Sequence, residues 1–136
     1  MRRIFTVKAS TSAKRKKIHA SVNDNGIYLN AGDYIRFTID GKPAIGQIES
    51  ILYSNDYNGN MIYRDAFNSG MILWNINYLY DEFYDRQEQM KFIEHVPANE
   101  IENVQKMSRV EFINRLDELT GRSNDDYKDV EFLNFL

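Results

Sequence analysis

Apolar and polar residues alternate most regularly at Tyr34–Ile39, where Ile35, Phe37 and Ile39 fall on one side and Tyr34, Arg36 and Thr38 on the other. A period of two marks a half-buried β-strand. Asp40-Gly41 follows directly, a strong hairpin signal when alternation flanks it, so residues 44–53 are read as the partner strand. Pro43 then needs an edge or a strand start, because it has no N–H to give the ladder. Asn58-Gly59 predicts a second hairpin, with Ile51-Leu52-Tyr53 before it and Met61-Ile62-Tyr63 after it. A further strand is expected at 71–76, entered from the turn Asn68-Ser69-Gly70, then one at 90–96, a single turn at Pro97-Ala98-Asn99-Glu100, and a closing strand at 101–107.

Residues 77–91 carry two signals. Leu79, Phe83 and Met90 have helical spacing, whereas the density of Tyr and Phe favours strand and the charged run 81–88 suits an exposed loop. A strand end followed by an excursion is the reading adopted. Upstream, Ile4-Phe5-Thr6-Val7 has strand composition, residues 9–13 lack any period, and short strands at 18–22 and 27–29 flank the turn cluster Asn23-Asp24-Asn25-Gly26.

The period changes at residue 108. Ser108 with Glu111 three residues on forms a capping box, Val110, Phe112, Ile113, Leu116 and Leu119 lie at helical spacing, and Gly121 supplies the stop. Residues 123–126 are suited to cap a second short helix with Tyr127, Val130, Leu133 and Leu136 along one stripe. Large apolar side chains at a terminus fray and associate unless tied down, so Val130, Phe132, Leu133 and Leu136 are expected to dock, onto the protein's own barrel or into a protein partner or a second copy.

Charge divides the chain more sharply than its net value of −3 implies. Residues 1–23 carry seven cations, Arg2, Arg3, Lys8, Lys14, Arg15, Lys16 and Lys17, and no acid; residues 24–136 hold the other ten cations against all twenty acids, giving +7 and −10. Such a split points to a basic arm that seeks a polyanion, joined to a body that does not. Three parts follow: a basic arm at 1–23 (first strand plus loop), a small antiparallel β-barrel at 24–107, and a helical extension at 108–136, mainly β within the α+β class.

Within that class, Gly32-Asp33-Tyr34-Ile35-Arg36-Phe37, Ile45-Gly46-Gln47-Ile48-Glu49-Ser50-Ile51 and the close from Lys91 through Pro97 to Ile101 resemble an SH3-like barrel and, more narrowly, the bromo-adjacent homology domain. Where that family shows a Trp followed by aromatic and arginine residues, this chain has Trp74 and a Tyr-rich stretch. The resemblance implies a protein- or nucleic-acid-binding module without catalysis.

Other chemistry is sparse. With no cysteine there is no disulfide framework, thiolate nucleophile or sulfur-rich zinc site, and a reducing compartment is permitted. His19 and His95 lack zinc-ligand spacing, the serines lack a nucleophile elbow, and no Gly-rich turn is placed to cradle phosphate. Asp56, Asn58, Gly59 and Asp65 occupy the third, fifth, sixth and twelfth positions of a calcium-type loop, but Ser54 stands first and the flanks read as strands, which favours a plain hairpin. No enzyme, cofactor or metal is therefore expected. No apolar run approaches the roughly 18 residues of a membrane span, so no membrane partner is expected and the location is read as cytoplasmic, or virion-associated if the Asn-, Ile-, Tyr- and Lys-rich composition reflects a phage source. Tyr53, Tyr57, Tyr63, Trp74, Tyr78, Tyr80 and Tyr84 are candidates for an aromatic contact surface, with core filling ranked above that role for many of them. The leading reading is a non-catalytic adaptor contacting nucleic acid or an acidic partner through its arm. The alternative is a phage or mobile-element structural or inhibitory protein acting by protein contacts alone.

Overall fold

The computed structural model describes residues 17–84 and 89–121. Among the described residues, seven strands and two helices run in the order β1 (Ala20–Val22), β2 (Tyr28–Asn30), β3 (Tyr34–Ile39), β4 (Lys42–Tyr53), α1 (Tyr63–Asn68), β5 (Ile72–Tyr80), β6 (Lys91–Pro97), a 3-10 turn (Ala98–Glu100), β7 (Glu102–Met107) and α2 (Arg109–Thr120). β1 and β2 form a small hairpin, and the other five make one antiparallel sheet in the order β6-β5-β4-β3-β7. Its edges β6 and β7 do not pair with one another, so a closed barrel is not formed by these ladders.

The alternating pattern placed most of these elements. Asp40 and Gly41 take φ of 54° and 76°, the left-handed pair that a tight hairpin requires, and they put Ile39 opposite Lys42. Pro43 is the second residue of β4, at the strand start. The 3-10 turn at Ala98–Glu100 replaces the expected single turn like for like.

The Asn58-Gly59 hairpin is not formed. β4 pairs straight onto β5, with Tyr53 opposite Ile72, and Tyr63 begins a helix where a returning strand was expected. An alternation of three residues is too short to hold a period against tertiary packing, and here Ala66 and Phe67 are drawn into the core from α1 while Tyr57 folds back to donate from its hydroxyl to the Met61 carbonyl at 2.9 Å. At the other ambiguous stretch, β5 runs on to Tyr80 and residues 81–84 leave the sheet.

Two apolar clusters lie on opposite faces of the sheet. The larger gathers Ile35, Phe37, Ile48, Ile51, Trp74, Ile76, Tyr78, Ile93 and Val96 beneath β1, β2 and α1. Polar bonds lock its lid: the Trp74 indole N–H donates to the Ser21 hydroxyl at 3.1 Å, and the buried Asn23 amide donates to the Val104 carbonyl at 3.1 Å. The smaller cluster packs α2 through Phe112, Ile113, Leu116 and Leu119 onto Tyr34, Ile45, Leu79 and Met107. Val110 is not part of that stripe and is 68% exposed, because two residues are about 200° of helix rotation and carry it away from Phe112. Arg115 straps the loop after β5 to this helix, donating to the Asp81 carboxylate from Nε at 2.7 Å. Among the described residues no helix is long and apolar enough to cross a membrane.

The capping box at the start of α2 is complete. The Glu111 N–H donates to the Ser108 hydroxyl at 3.0 Å and the Ser108 N–H donates to the Glu111 carboxylate at 2.9 Å, with Gly121 left-handed at the far end. The bond from the Ser108 backbone, then that from its side chain, holds the Glu111 carboxyl below the usual carboxylate range. A lowered folded value stabilises the native state above the ordinary Glu range and ceases to do so as the pH falls through it. The thermal midpoint of Glu111→Ala should therefore trail that of the parent most at neutral pH, and the gap should close toward about pH 3. Ser108→Ala should cost about 1 kcal/mol at neutral pH, measured by denaturant titration.

Candidate functional site

Three adjacent strands lose their regular pairing at the same place. On β5, Asn75 stands opposite Ser50 of β4, and Glu49 is the extra residue between the pairs Ile48–Ile76 and Ser50–Asn75. On the other side, Glu94 and His95 of β6 together oppose Asn75, between Trp74–Val96 and Ile76–Ile93. Both neighbours of β5 thus bulge at one residue, and a bulge re-aims the side chains it carries. His95 takes a left-handed φ of 57°, a conformation that non-glycine residues hold only when their surroundings impose it.

Asn75 supplies that constraint. Its side-chain amide N–H donates to the Ser50 hydroxyl at 2.7 Å, and its carbonyl oxygen accepts the His95 backbone N–H at 2.7 Å. The two bulges are therefore joined through one side chain that is itself only 9% exposed. Above them opens a cleft of about 650 Å³, whose floor is Ser50, Asn75 and the buried His95 and whose mouth carries Lys17, Glu49, Phe92 and Glu94.

Of the seven basic residues in the arm, Lys17 lies within the described chain and Arg2, Arg3, Lys8, Lys14, Arg15 and Lys16 lie outside it. Lys17 forms an isolated antiparallel bridge with Leu52, and the next N–H, of Ile18, donates to the Ile51 carbonyl at 3.2 Å. The root of the arm is thus fixed along the second half of β4, beside the cleft. Val130, Phe132, Leu133 and Leu136 also lie outside the described residues.

The seven aromatic candidates separate into three groups. Trp74 and Tyr78 are fully buried in the larger core and present no contact surface, because alternation along β5 turns them inward with Ile76. Tyr80 is half-buried, its hydroxyl donating to Asp40 at 3.1 Å and its ring lying 5.0 Å from the Lys42 ammonium, and Tyr84 packs against the α2 cluster. Tyr53, Tyr57 and Tyr63 do come together. The Tyr53 and Tyr57 rings stack with centroids 4.0 Å apart and planes 5° from parallel, and Tyr63 lies 6.1 Å from Tyr53. Burial first, then the hydroxyls of Tyr63 and Tyr57, pushes the Tyr53 phenol well above its usual range. Tyr63 is the most open of the three, at 39% exposed.

Glu49, Ser50, Asn75, Phe92 and Glu94 were not singled out by motif. A signal for them does exist in the sequence: Ile48 and Ile51, and again Ile93 and Val96, all enter the same core at a spacing of three, which a regular strand does not permit.

No protein-family model, curated protein or solved structure matches the chain.

Proposed function

We propose that the protein is a non-catalytic binding module of SH3-like architecture whose basic N-terminal arm engages a polyanion, either nucleic acid or an acidic protein surface. What supports the architecture is the strand order: β3 to β6 are neighbours in sequence and in the sheet, and β7 returns after a single 3-10 turn to pair with β3. The observation that carries the functional reading is the attachment of the arm. Six further cations precede Lys17 in the sequence, and Lys17 is pinned at Leu52, one residue from the Tyr53 stack. Cations supply sequence-independent phosphate contacts and open aromatic rings supply surfaces for unpaired bases, so this strand end combines both elements of a single-strand binder.

Fluorescence anisotropy with labelled DNA, RNA and an acidic peptide tests the reading. If Lys14, Arg15, Lys16 and Lys17 each neutralise one phosphate, the logarithm of affinity for single-stranded DNA should fall against the logarithm of salt with a slope of about −3. The variant K14Q/R15Q/K16Q/K17Q should lose that slope. Binding to the acidic peptide alone would assign the arm to a protein partner, and salt-insensitive or absent binding to every probe would overturn the proposal.

A further inference from the structure

The body to which the basic arm is attached is acidic, and its two bulges bring two carboxylates to one cleft. Glu49 and Glu94 come from strands on either side of β5, both are half-exposed, and neither makes an ion pair with a lysine or arginine among the described residues. Glu49 accepts a long bond from the Ser50 hydroxyl at 3.4 Å, and Glu94 lies 3.9 Å from the His95 imidazole. Lys17 lines the same cleft and pairs with neither. Three other described acids do have cation partners: Asp33 meets Lys106 at 3.4 Å, and Asp81 and Glu118 meet Arg115.

Beside the two carboxylates stands Phe92, 51% exposed on an edge strand and lining the same opening. A large ring held open to water next to two carboxylates is the combination that recognises a flat organic cation, since a guanidinium stacks on an aromatic face while its N–H fork donates to carboxylate oxygens. The floor is preorganised for such a guest. Asn75 holds the His95 backbone next to Glu94 and the Ser50 side chain next to Glu49, so the neighbours of both carboxylates are tied together before anything binds.

We propose that this cleft is a receptor for an arginine side chain presented by a basic polypeptide, with Glu49 and Glu94 as its counter-charges and Phe92 as its stacking surface. This goes beyond the arm's affinity for polyanions and does not depend on it: the arm would hold an acidic partner and the cleft a basic one, which is the division of labour that an adaptor needs.

The test uses the full chain and a short labelled arginine-rich peptide alongside its citrulline counterpart, which keeps the shape of the side chain and removes its charge. The arginine peptide should bind about tenfold or more tightly than the citrulline one, and E49Q/E94Q, which preserves the size of both side chains, should abolish that preference. The control E100Q/E102Q, on exposed acids elsewhere, should leave it intact. Chemical-shift changes on titration should centre on the Asn75 side-chain amide and the His95 backbone N–H. Equal losses in E49Q/E94Q and E100Q/E102Q would mean diffuse attraction to an acidic body and would overturn the site. Binding by K14Q/R15Q/K16Q/K17Q but not by the parent chain would overturn the partner and assign the cleft to the chain's own cations.

Discussion

Replacing Gly46 by valine should leave a chain that no longer unfolds cooperatively, and even alanine there should lower the thermal midpoint by about 10 °C or more. Gly46 lies in mid-β4, between Ile35 of β3 and Tyr78 of β5, and all three are buried. A Cβ at this position would sit 2.9 Å from the Tyr78 Cβ and 3.1 Å from its Cα, and would press on the Asn77 carbonyl oxygen. Two of those atoms are backbone of the neighbouring strand and the third, the Tyr78 Cβ, is fixed to it, so relief requires β4 and β5 to separate. Overpacking a core with a side chain typically costs about 1–3 kcal/mol, and contact with backbone belongs at or above the top of that range, in a domain whose whole stability is about 5–15 kcal/mol. Circular dichroism on heating measures the outcome; an alanine variant melting within about 3 °C of the parent would show that the strands can part there at little cost.

Trp74→Ala should cost about 3–5 kcal/mol and should do so without altering affinity for any ligand the folded protein binds. The indole is fully buried in the larger cluster and donates to Ser21, itself fully buried, so truncation both empties the largest core volume and strands a hydroxyl. Trp74→Phe should recover most of the packing and little of the hydrogen bond. Because Trp74 is the sole tryptophan, its emission reports directly on the parent: a blue-shifted maximum that moves red on unfolding is expected. If the alanine variant kept its stability but lost ligand binding, the ring would belong to a contact surface after all.

What could be read from the sequence follows from how local each signal is. Asp40-Gly41 and the Ser108–Glu111 box act through their own few residues, and both hold. Asn58-Gly59 is an equally local turn signal, yet its flanks follow tertiary demands, as Tyr57 stacks on Tyr53 and Phe67 turns into the core. Tyr78 looked like one more tyrosine of a possible platform; its burial depends on which face of β5 meets the core, and that is decided by partners distant in sequence. The cleft has no local signature for a related reason. Glu49 and Glu94 lie far apart in the chain and line one cleft from strands on either side of Asn75, each at a bulge, and a bulge appears in sequence as a slipped period, not as a motif.

The sheet's order also bears on how the chain finds this arrangement. From β3 to β6 every pairing joins consecutive strands, so each can zip from its own turn or excursion. The pairing of β7 with β3 instead sets Met107 opposite Tyr34, nearly the whole length of the sheet-forming sequence away. Closing a longer loop costs more chain entropy before any contact rewards it, and non-local pairings are the slow ones. The return of β7 is therefore the step on which the folding rate hangs. The bond from Asn23 to Val104, which fastens the β1–β2 hairpin over the core, has to wait for it. Residues 97–101, the turn that aims β7 back at β3, thus govern how fast the protein folds more than how firmly the meander behind them holds.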